Sequence, residues 1–250
     1  HMFLDGLEDA YTGAAMGTFA QKTADEHGLT REKMDAFAIE SLTRAKRAID
    51  EGLNAKEMAP VTIKTRRGEH TVTNDEQPHK ADPEKIPQLR PAFSKGGTIT
   101  PANSSSISDG ASALLLASEE AVKAHSLKPR ARIVAHARNS LAPESFTLAP
   151  IGAIEQVLAK VGWTAVDVDL WEINEAFAMV TMLASRALNL DPACVNVHGG
   201  ACAQGHPIGS TGSRIIVTLI SALELYGKKR GVAALCIGGG EGTAVAIELV

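Results

Sequence analysis

The spacing of apolar positions changes character near residue 106 of this chain. Before that point the rhythm is helical. Thr30 is placed as an N-cap with Glu32 in the first turn, and Met34, Phe37, Ala38, Leu42, Ala45 and Ile49 follow near helical spacing, with Gly52 as the stop. Residues 61–66 and 69–73 read as two short strands that turn at Arg67-Gly68. Residues 74–105 are rich in Pro and Gly and carry few periodic apolar positions, which predicts a long, irregular but ordered loop.

Beyond residue 106, apolar runs alternate with helical patterns. Ala111–Ala117 is a run of small and aliphatic residues, and Glu119–His125 has a helical pattern. Buried strands are expected at Arg132–Ala137, Val168–Ile173, Ala193–Val197, Ala233–Ile237 and Ala244–Leu249. Helices are expected at Pro150–Val161, with Pro in its first turn and Gly162 at its end, and at Asn174–Leu188 and Ser213–Tyr226. Strands alternating with helices imply an α/β layered domain. The last two strands flank Gly238-Gly239-Gly240-Glu241-Gly242 and are expected to form a hairpin.

Composition narrows the classes of function. The net charge is -4 and only 4% of residues are aromatic, which gives nucleic acid or an anionic membrane surface nothing to hold. The three cysteines, Cys194, Cys202 and Cys236, have no framework spacing, so a reducing, cytoplasmic setting is expected. No apolar run is long enough for a transmembrane helix. His1 precedes the first Met, which suggests a cloning remnant or a chain cut from something longer.

The candidate chemistry lies where strands give way to glycine. In Asn196–Arg214 a predicted strand ends, glycines admit close backbone approach, and a helix begins. His206 is fixed there between Gly205 and Pro207, either as a structural histidine in a tight turn or as a base aimed into a cleft. Cys236 ends an apolar run just before three glycines. It is either a small packing residue or a thiol beside free N–H groups able to stabilise an anion. Asn174 follows another apolar run, as a cap or as a group that orients an oxygen. Ligands of open α/β sheets gather at the carboxyl ends of strands, and all three residues stand at such ends.

Three tracts in order resemble one family. Asn174-Glu175-Ala176-Phe177-Ala178 resembles the NEAFA motif of the thiolases. Gly199-Gly200-Ala201 through Gly205-His206-Pro207-Ile208-Gly209 and on to Gly212-Ser213-Arg214 resembles their GGA…GHP-x-G…G-x-R signature. Cys236-Ile237-Gly238-Gly239-Gly240-Glu241-Gly242 resembles their CIGGG-x-G signature. The resemblance continues upstream through Asp75–Pro78, Leu89–Phe93 and Asn103–Ala111, and so covers essentially the whole chain.

The resemblance implies a thiolase-like α/β/α layered fold, here the C-terminal half plus most of the inserted loop domain. Residues 1–100 would be the loop (lid and tetramerisation) domain, 101–128 the last strand and helix of the N-terminal half, and 129–250 the C-terminal half. It implies acyl transfer between CoA thioesters by a ping-pong route, through Claisen condensation of acetyl-CoA or thiolysis of 3-ketoacyl-CoA. His206 would be the base that activates a nucleophilic cysteine. Asn174 would hold a water of one oxyanion hole, Cys236 would be the acid/base at the α-carbon, and the Gly238 N–H would serve a second oxyanion hole. Ser105, Phe93 and Phe177 would lie along the pantetheine of CoA. No metal or covalent cofactor is implied, only coenzyme A and acetyl-CoA as substrates. A homo-oligomer, dimer or tetramer, is implied as well.

The family's nucleophile motif is not found, so the N-terminal half that carries it is expected to be missing, either present as a separate chain or lost because this is a fragment of a longer product, and the isolated chain inactive. Cys202 stands where relatives carry an apolar residue and reads as packing. His198 replaces a frequent Asn, Ala102 a frequent Gly, and Phe146 lies near a pocket methionine of short-chain members. Two rivals are a ketoacyl synthase, which uses two histidines where this chain has Asn174 and His206, and a non-catalytic CoA- or partner-binding fragment.

Overall fold

The computed structural model describes residues 2–250. Helices α1 (Met16–Glu26) and α2 (Arg31–Asp50) open the chain. Thr30 caps α2 by accepting from the Lys33 N–H at 3.4 Å. The expected stripe is the buried one: Met34, Ala38, Leu42 and Ala45 are all covered. The hairpin of β1 (Val61–Thr65) and β2 (Gly68–Val72) follows as read, in register from Val61–Val72 to Thr65–Gly68.

The proline-rich segment holds only the single turn α3 (Gln77–Lys80) and a 3-10 stretch at Pro83–Gln88. It is ordered because its backbone groups find side chains to bond. Arg31 donates to the carbonyls of Ile86 and Leu89 and pairs with Asp35 at 2.6 Å. Gln21 Oε1 accepts from the N–H groups of Thr98 and Ile99, and Asn103 donates to Asp35 at 3.0 Å.

Beyond it come α4 (Glu119–Ala124), β3 (Ala131–Ser140), α5 (Ala149–Val161), β4 (Leu170–Ile173), α6 (Ala178–Ala187), α7 (Ala201–Gln204), α8 (Thr211–Leu225), β5 (Arg230–Ile237) and β6 (Glu241–Leu249). One four-stranded sheet in the order β3-β6-β5-β4 is the centre. β3–β6 and β6–β5 are antiparallel, the second being the expected glycine-turn hairpin, while β5–β4 is parallel.

Period-two alternation sorts the strand residues between two helical layers. Val232 and Ala234 face one cluster with Ile154, Val157 and Leu158 of α5, whereas Ala233 faces the other with Ile215, Leu219 and Leu223 of α8. Each such aliphatic side chain contributes about 1.5–3 kcal/mol on burial. α5 ends where Gly162 adopts φ +67°, the left-handed conformation that favours Gly.

Three expectations differ from the structure. Of the last strand and helix expected in residues 101–128 only the helix α4 forms: the run Ala111–Ala117 has no ladder partner, and Leu115 and Leu116 are 88% and 70% exposed. An apolar run becomes a strand only where a neighbour offers its backbone, and none among the described residues stands beside this one. Ala193–Val197 gives a 3-10 turn at Pro192–Cys194 and a single bridge from Val195 to Trp171, because Asn196 turns to φ +47° and its side-chain amide, not its backbone, bonds the N–H and carbonyl of Ile173. The helix expected at Asn174–Leu188 starts only at Ala178, since the first four residues are held out of the helix by contacts described below, with Phe177 extended.

Candidate active site

The site is assembled around the loop that joins β4 to α6. The Asn174 N–H donates to the Ala234 carbonyl at 2.9 Å, which fixes this loop to β5 two residues before Cys236. The Asn174 side chain reaches the other way, with Nδ2 3.4 Å from His206 Nε2. Asn174 is therefore the joint between the two tracts that carry His206 and Cys236. Its Oδ1 is buried without a protein partner, an acceptor open to a water or a substrate atom.

His206 is held from three sides. Its N–H donates to the Ser106 carbonyl at 3.1 Å. Its Nδ1 lies 2.6 Å from the Thr211 hydroxyl, which donates its own proton to the Pro207 carbonyl at 3.0 Å. A hydroxyl that spends its proton there can only accept from the ring, so Nδ1 carries the imidazole hydrogen and Nε2 keeps its lone pair. Burial, with a smaller push from the Arg214 guanidinium, lowers the ring to about 4. At neutral pH the histidine is an uncharged base.

Cys236 is 7% exposed, opposite Gly242 in the hairpin, and packed with Met16, Phe146, Phe177 and Met179. Burial pushes its thiol up to about 12. It thus stands protonated where His206 stands unprotonated, a division suited to one acid and one base. Cys202 is also pushed well above the ordinary thiol range by burial, and its Sγ faces the Glu175 carbonyl at 3.8 Å.

An aromatic line runs from this cluster to the surface. Phe146 and Phe93 each meet Phe177 edge to face, at 6.3 and 6.2 Å between ring centroids. The Phe93 ring lies directly over Gly17, where any side chain would collide with it. Ser105 stands beside this line, donating from both N and Oγ to the Ala176 carbonyl at 3.0 Å. Gly238 stands two residues beyond Cys236, on the exposed hairpin turn and beside the sulfur of Met16, which packs in the same cluster as Cys236.

The sequence reading gave no role to Glu175, which holds the tracts together. Its Oε2 accepts from Ser41 Oγ at 2.7 Å and from the Cys202 N–H at 3.1 Å, and its Oε1 accepts from Asn196 Nδ2 at 2.8 Å. Gly200 has room for no Cβ because that carboxyl occupies the space. Burial raises the Glu175 carboxyl above the ordinary range, against these donors. Thr211 and Arg214 were also given no role, although Thr211, five residues after His206, marks the start of α8. Among the described residues no group of three or more His, Cys, Asp and Glu is placed to hold a metal, and no helix is long and apolar enough to cross a membrane.

A mixed sheet lies between helical layers, with Asn174 and Cys236 at the ends of the neighbouring strands β4 and β5 and His206 beside Asn174. Residues 127–249 match the model for the thiolase C-terminal domain and residues 1–120 that for the thiolase N-terminal domain, so the chain belongs to the thiolase family. It is 47% identical over 245 residues to a probable acetyl-CoA acetyltransferase of Dictyostelium discoideum, covering 98% of this chain and 59% of that protein. It is 46% identical to the acetyl-CoA acetyltransferase of Yarrowia lipolytica, covering 98% of this chain and 62% of that one. The crystal structure of the Acat5 thiolase from Ascaris suum in complex with coenzyme A superposes with a TM-score of 0.93 at 44% identity, covering 100% of this chain and 64% of that one.

The chain thus spans about three-fifths of the length of the curated relatives it matches. The match of residues 1–120 overturns the expectation that the N-terminal half is missing, and the inactivity inferred from its absence loses that basis. All three cysteines lie within the C-terminal match.

Proposed function

We propose that this chain serves as an acetyl-CoA acetyltransferase, moving acyl groups between CoA thioesters by Claisen condensation of acetyl-CoA and by thiolysis of 3-ketoacyl-CoA. The observation that carries this reading is the line Asn174–His206–Thr211, which presents an uncharged Nε2 beside an unpartnered amide oxygen. Nε2 takes the proton of the attacking thiol, so that a thiolate reaches the thioester carbonyl. Asn174 holds a water that, with His206, stabilises the charge forming on the carbonyl oxygen.

Cys236 works at the other reacting carbon. In thiolysis its thiol gives a proton to the α-carbon of the departing acetyl-CoA enolate, and in condensation the thiolate takes that proton back. The Gly238 N–H faces the enolate oxygen in a second oxyanion hole. Phe93, Phe177 and Ser105 guide the pantetheine arm to the line of aromatic rings described above. In each half-reaction the attacking thiol forms the new thioester, and the thiolate it displaces leaves and takes the proton back from His206. Between the two the acyl group rests on an enzyme thiol, which makes the order ping-pong. Residues 1–100 cover the CoA and contribute to assembly as a dimer or tetramer, residues 101–128 join them to the rest, and residues 129–250 carry the acid and the base.

The test is cleavage of acetoacetyl-CoA by CoA. The expected result is CoA-dependent formation of acetyl-CoA that falls by about two to four orders of magnitude in His206→Ala. CoA affinity, measured by calorimetry, should change little. CoA binding without any His206-dependent turnover would leave a binding module and remove the catalytic reading.

A further inference from the structure

A narrow strip of chain, residues 103–108, lies between the tracts that carry Asn174 and His206. At one end the Asn103 carbonyl accepts from the Ala178 N–H at 2.8 Å, and the Ser105 N–H donates to the Ala176 carbonyl at 3.0 Å. These bonds tie the strip to the loop that follows Asn174. At the other end Ile107 bridges His206, and the Ser106 carbonyl accepts the His206 N–H at 3.1 Å. The backbone of His206 therefore hangs on the Ser106 carbonyl, while its ring meets Thr211 and Asn174.

That carbonyl is itself held from outside the strip. Ser106 Oγ donates to Gln77 Oε1 at 2.6 Å, and Gln77 Nε2 donates to Ser108 Oγ at 2.7 Å. Ser108 Oγ in turn donates to the Ser106 carbonyl at 3.2 Å, beside the bond from His206. Three hydrogen bonds thus leave the Ser106 hydroxyl and close on the Ser106 carbonyl, all pointing one way, and bonds so arranged polarise one another. Gln77 comes from α3 in the proline-rich segment, where the neighbouring Pro78 is buried and seats the turn. Gly205, which precedes His206, has φ +88° and no room for a Cβ, because Ser108 Oγ and Gln77 Nε2 occupy that space.

We propose that Gln77 is a positioning residue for the His206 base: by closing this circuit from the proline-rich segment it fixes the Ser106 carbonyl, and through it the place of the imidazole beside Asn174. The inference rests on the reading of His206 as the base of acyl transfer. Without Gln77 the two serine hydroxyls, 3.1 Å apart, are left to bond each other, and the proton that Ser108 gives to the carbonyl is drawn away. The strip then loses its tie to the proline-rich segment and the His206 backbone loses a fixed support. A base displaced by a fraction of an ångström loses rate, since misplacement by about 1 Å costs about 10²-fold. Binding of CoA is not in the circuit, because Phe93, Phe177 and Ser105 take no part in it.

The experiment compares turnover with hydrogen exchange in Gln77→Met, which keeps the length of the side chain and removes both polar ends. In acetoacetyl-CoA cleavage by CoA the variant should lose about tenfold in kcat, while KM for CoA stays within about twofold. Amide exchange followed by NMR in the same chain should quicken about tenfold at the His206 N–H and stay unchanged at the Asn174 N–H, which is bonded to β5. In a Ser106→Ala, Ser108→Ala background the circuit is already gone, so adding Gln77→Met should remove nothing more. If Gln77→Met does not fold, Gln77→Ala carries the same comparison. Native exchange and native kcat in Gln77→Met overturn the proposal. So does an equal loss in the background without the two hydroxyls, for Gln77 would then act by packing. So does exchange that quickens as much at Asn174 as at His206, the mark of a general loosening. Failure of the base reading shows elsewhere: His206→Ala would cleave acetoacetyl-CoA at the native rate, or the native chain would not cleave it at all. Exchange at the His206 N–H would then still decide whether Gln77 holds that residue in place.

Discussion

The Thr211 hydroxyl stands 2.6 Å from His206 Nδ1 and spends its own proton on the Pro207 carbonyl. This relationship sets the tautomer of the ring and so decides which nitrogen can act as a base. Thr211→Val keeps the shape and removes the acceptor. The ring is then free to place its hydrogen on Nε2, and acyl transfer should fall by about one order of magnitude. Thr211→Ser should retain the rate. Imidazole nitrogen shifts report the tautomer directly; a Val variant with Nδ1 still protonated and full activity would show that the hydroxyl is incidental.

Stability should depend on pH at two groups, in opposite senses. The folded His206 ring titrates near 4 against an ordinary 6.5, so as pH falls the unfolded chain takes the proton first. Stability is lost as pH drops from 6.5 to about 4, by up to about 1.4 kcal/mol per pH unit. Glu172 is raised from 4.5 to about 8, so the unfolded carboxyl ionises while the folded one cannot, and stability is lost as pH rises between those values. Urea midpoints across pH should show the acid loss shrink in His206→Ala and the alkaline loss shrink in Glu172→Gln. Unchanged slopes in either variant would assign that loss to other groups.

Cys236→Ser separates the two half-reactions. Ser matches the shape but is a far weaker acid than a thiol, so it cannot take and return the α-carbon proton. Acetyl transfer from acetyl-CoA to a thiol, which uses His206, should persist, while condensation and α-proton exchange into deuterated water should be lost. Mass spectrometry of the acetylated product beside the condensation rate reads both. If both survive, Cys236 is packing; if both vanish in a folded protein, the division between His206 and Cys236 is wrong.

Glu175→Gln tests the hub. Its carboxylate accepts from Ser41, Asn196 and the Cys202 N–H, and an amide must turn its NH2 toward at least one of those donors. The loss should be about 1–3 kcal/mol in denaturant unfolding. A variant as stable as the native chain would mean that the buried carboxyl is already protonated and satisfied as an acid.

The sequence by itself determined the elements whose causes are local. Thr30 starts α2 because a hydroxyl one residue before the helix can accept from its first turn, and Gly162 ends α5 because it tolerates a left-handed backbone. The β5–β6 hairpin was legible because a glycine turn between two apolar runs needs no distant partner. Asn174, His206 and Cys236 stood out for local reasons too: Asn174 and Cys236 close apolar runs, and His206 is fixed between Gly205 and Pro207. Their meeting was another matter. Only the tertiary structure brought Asn174 within 3.4 Å of His206, and Ser41 within 2.7 Å of a carboxyl 134 residues away. Residues 101–128 show the same limit from the other side, since the strand expected among them finds no neighbour to complete it. Glu175 stood in its tract without a role of its own. Burial gave it one, because a carboxyl withdrawn from water depends on the donors that the fold places around it.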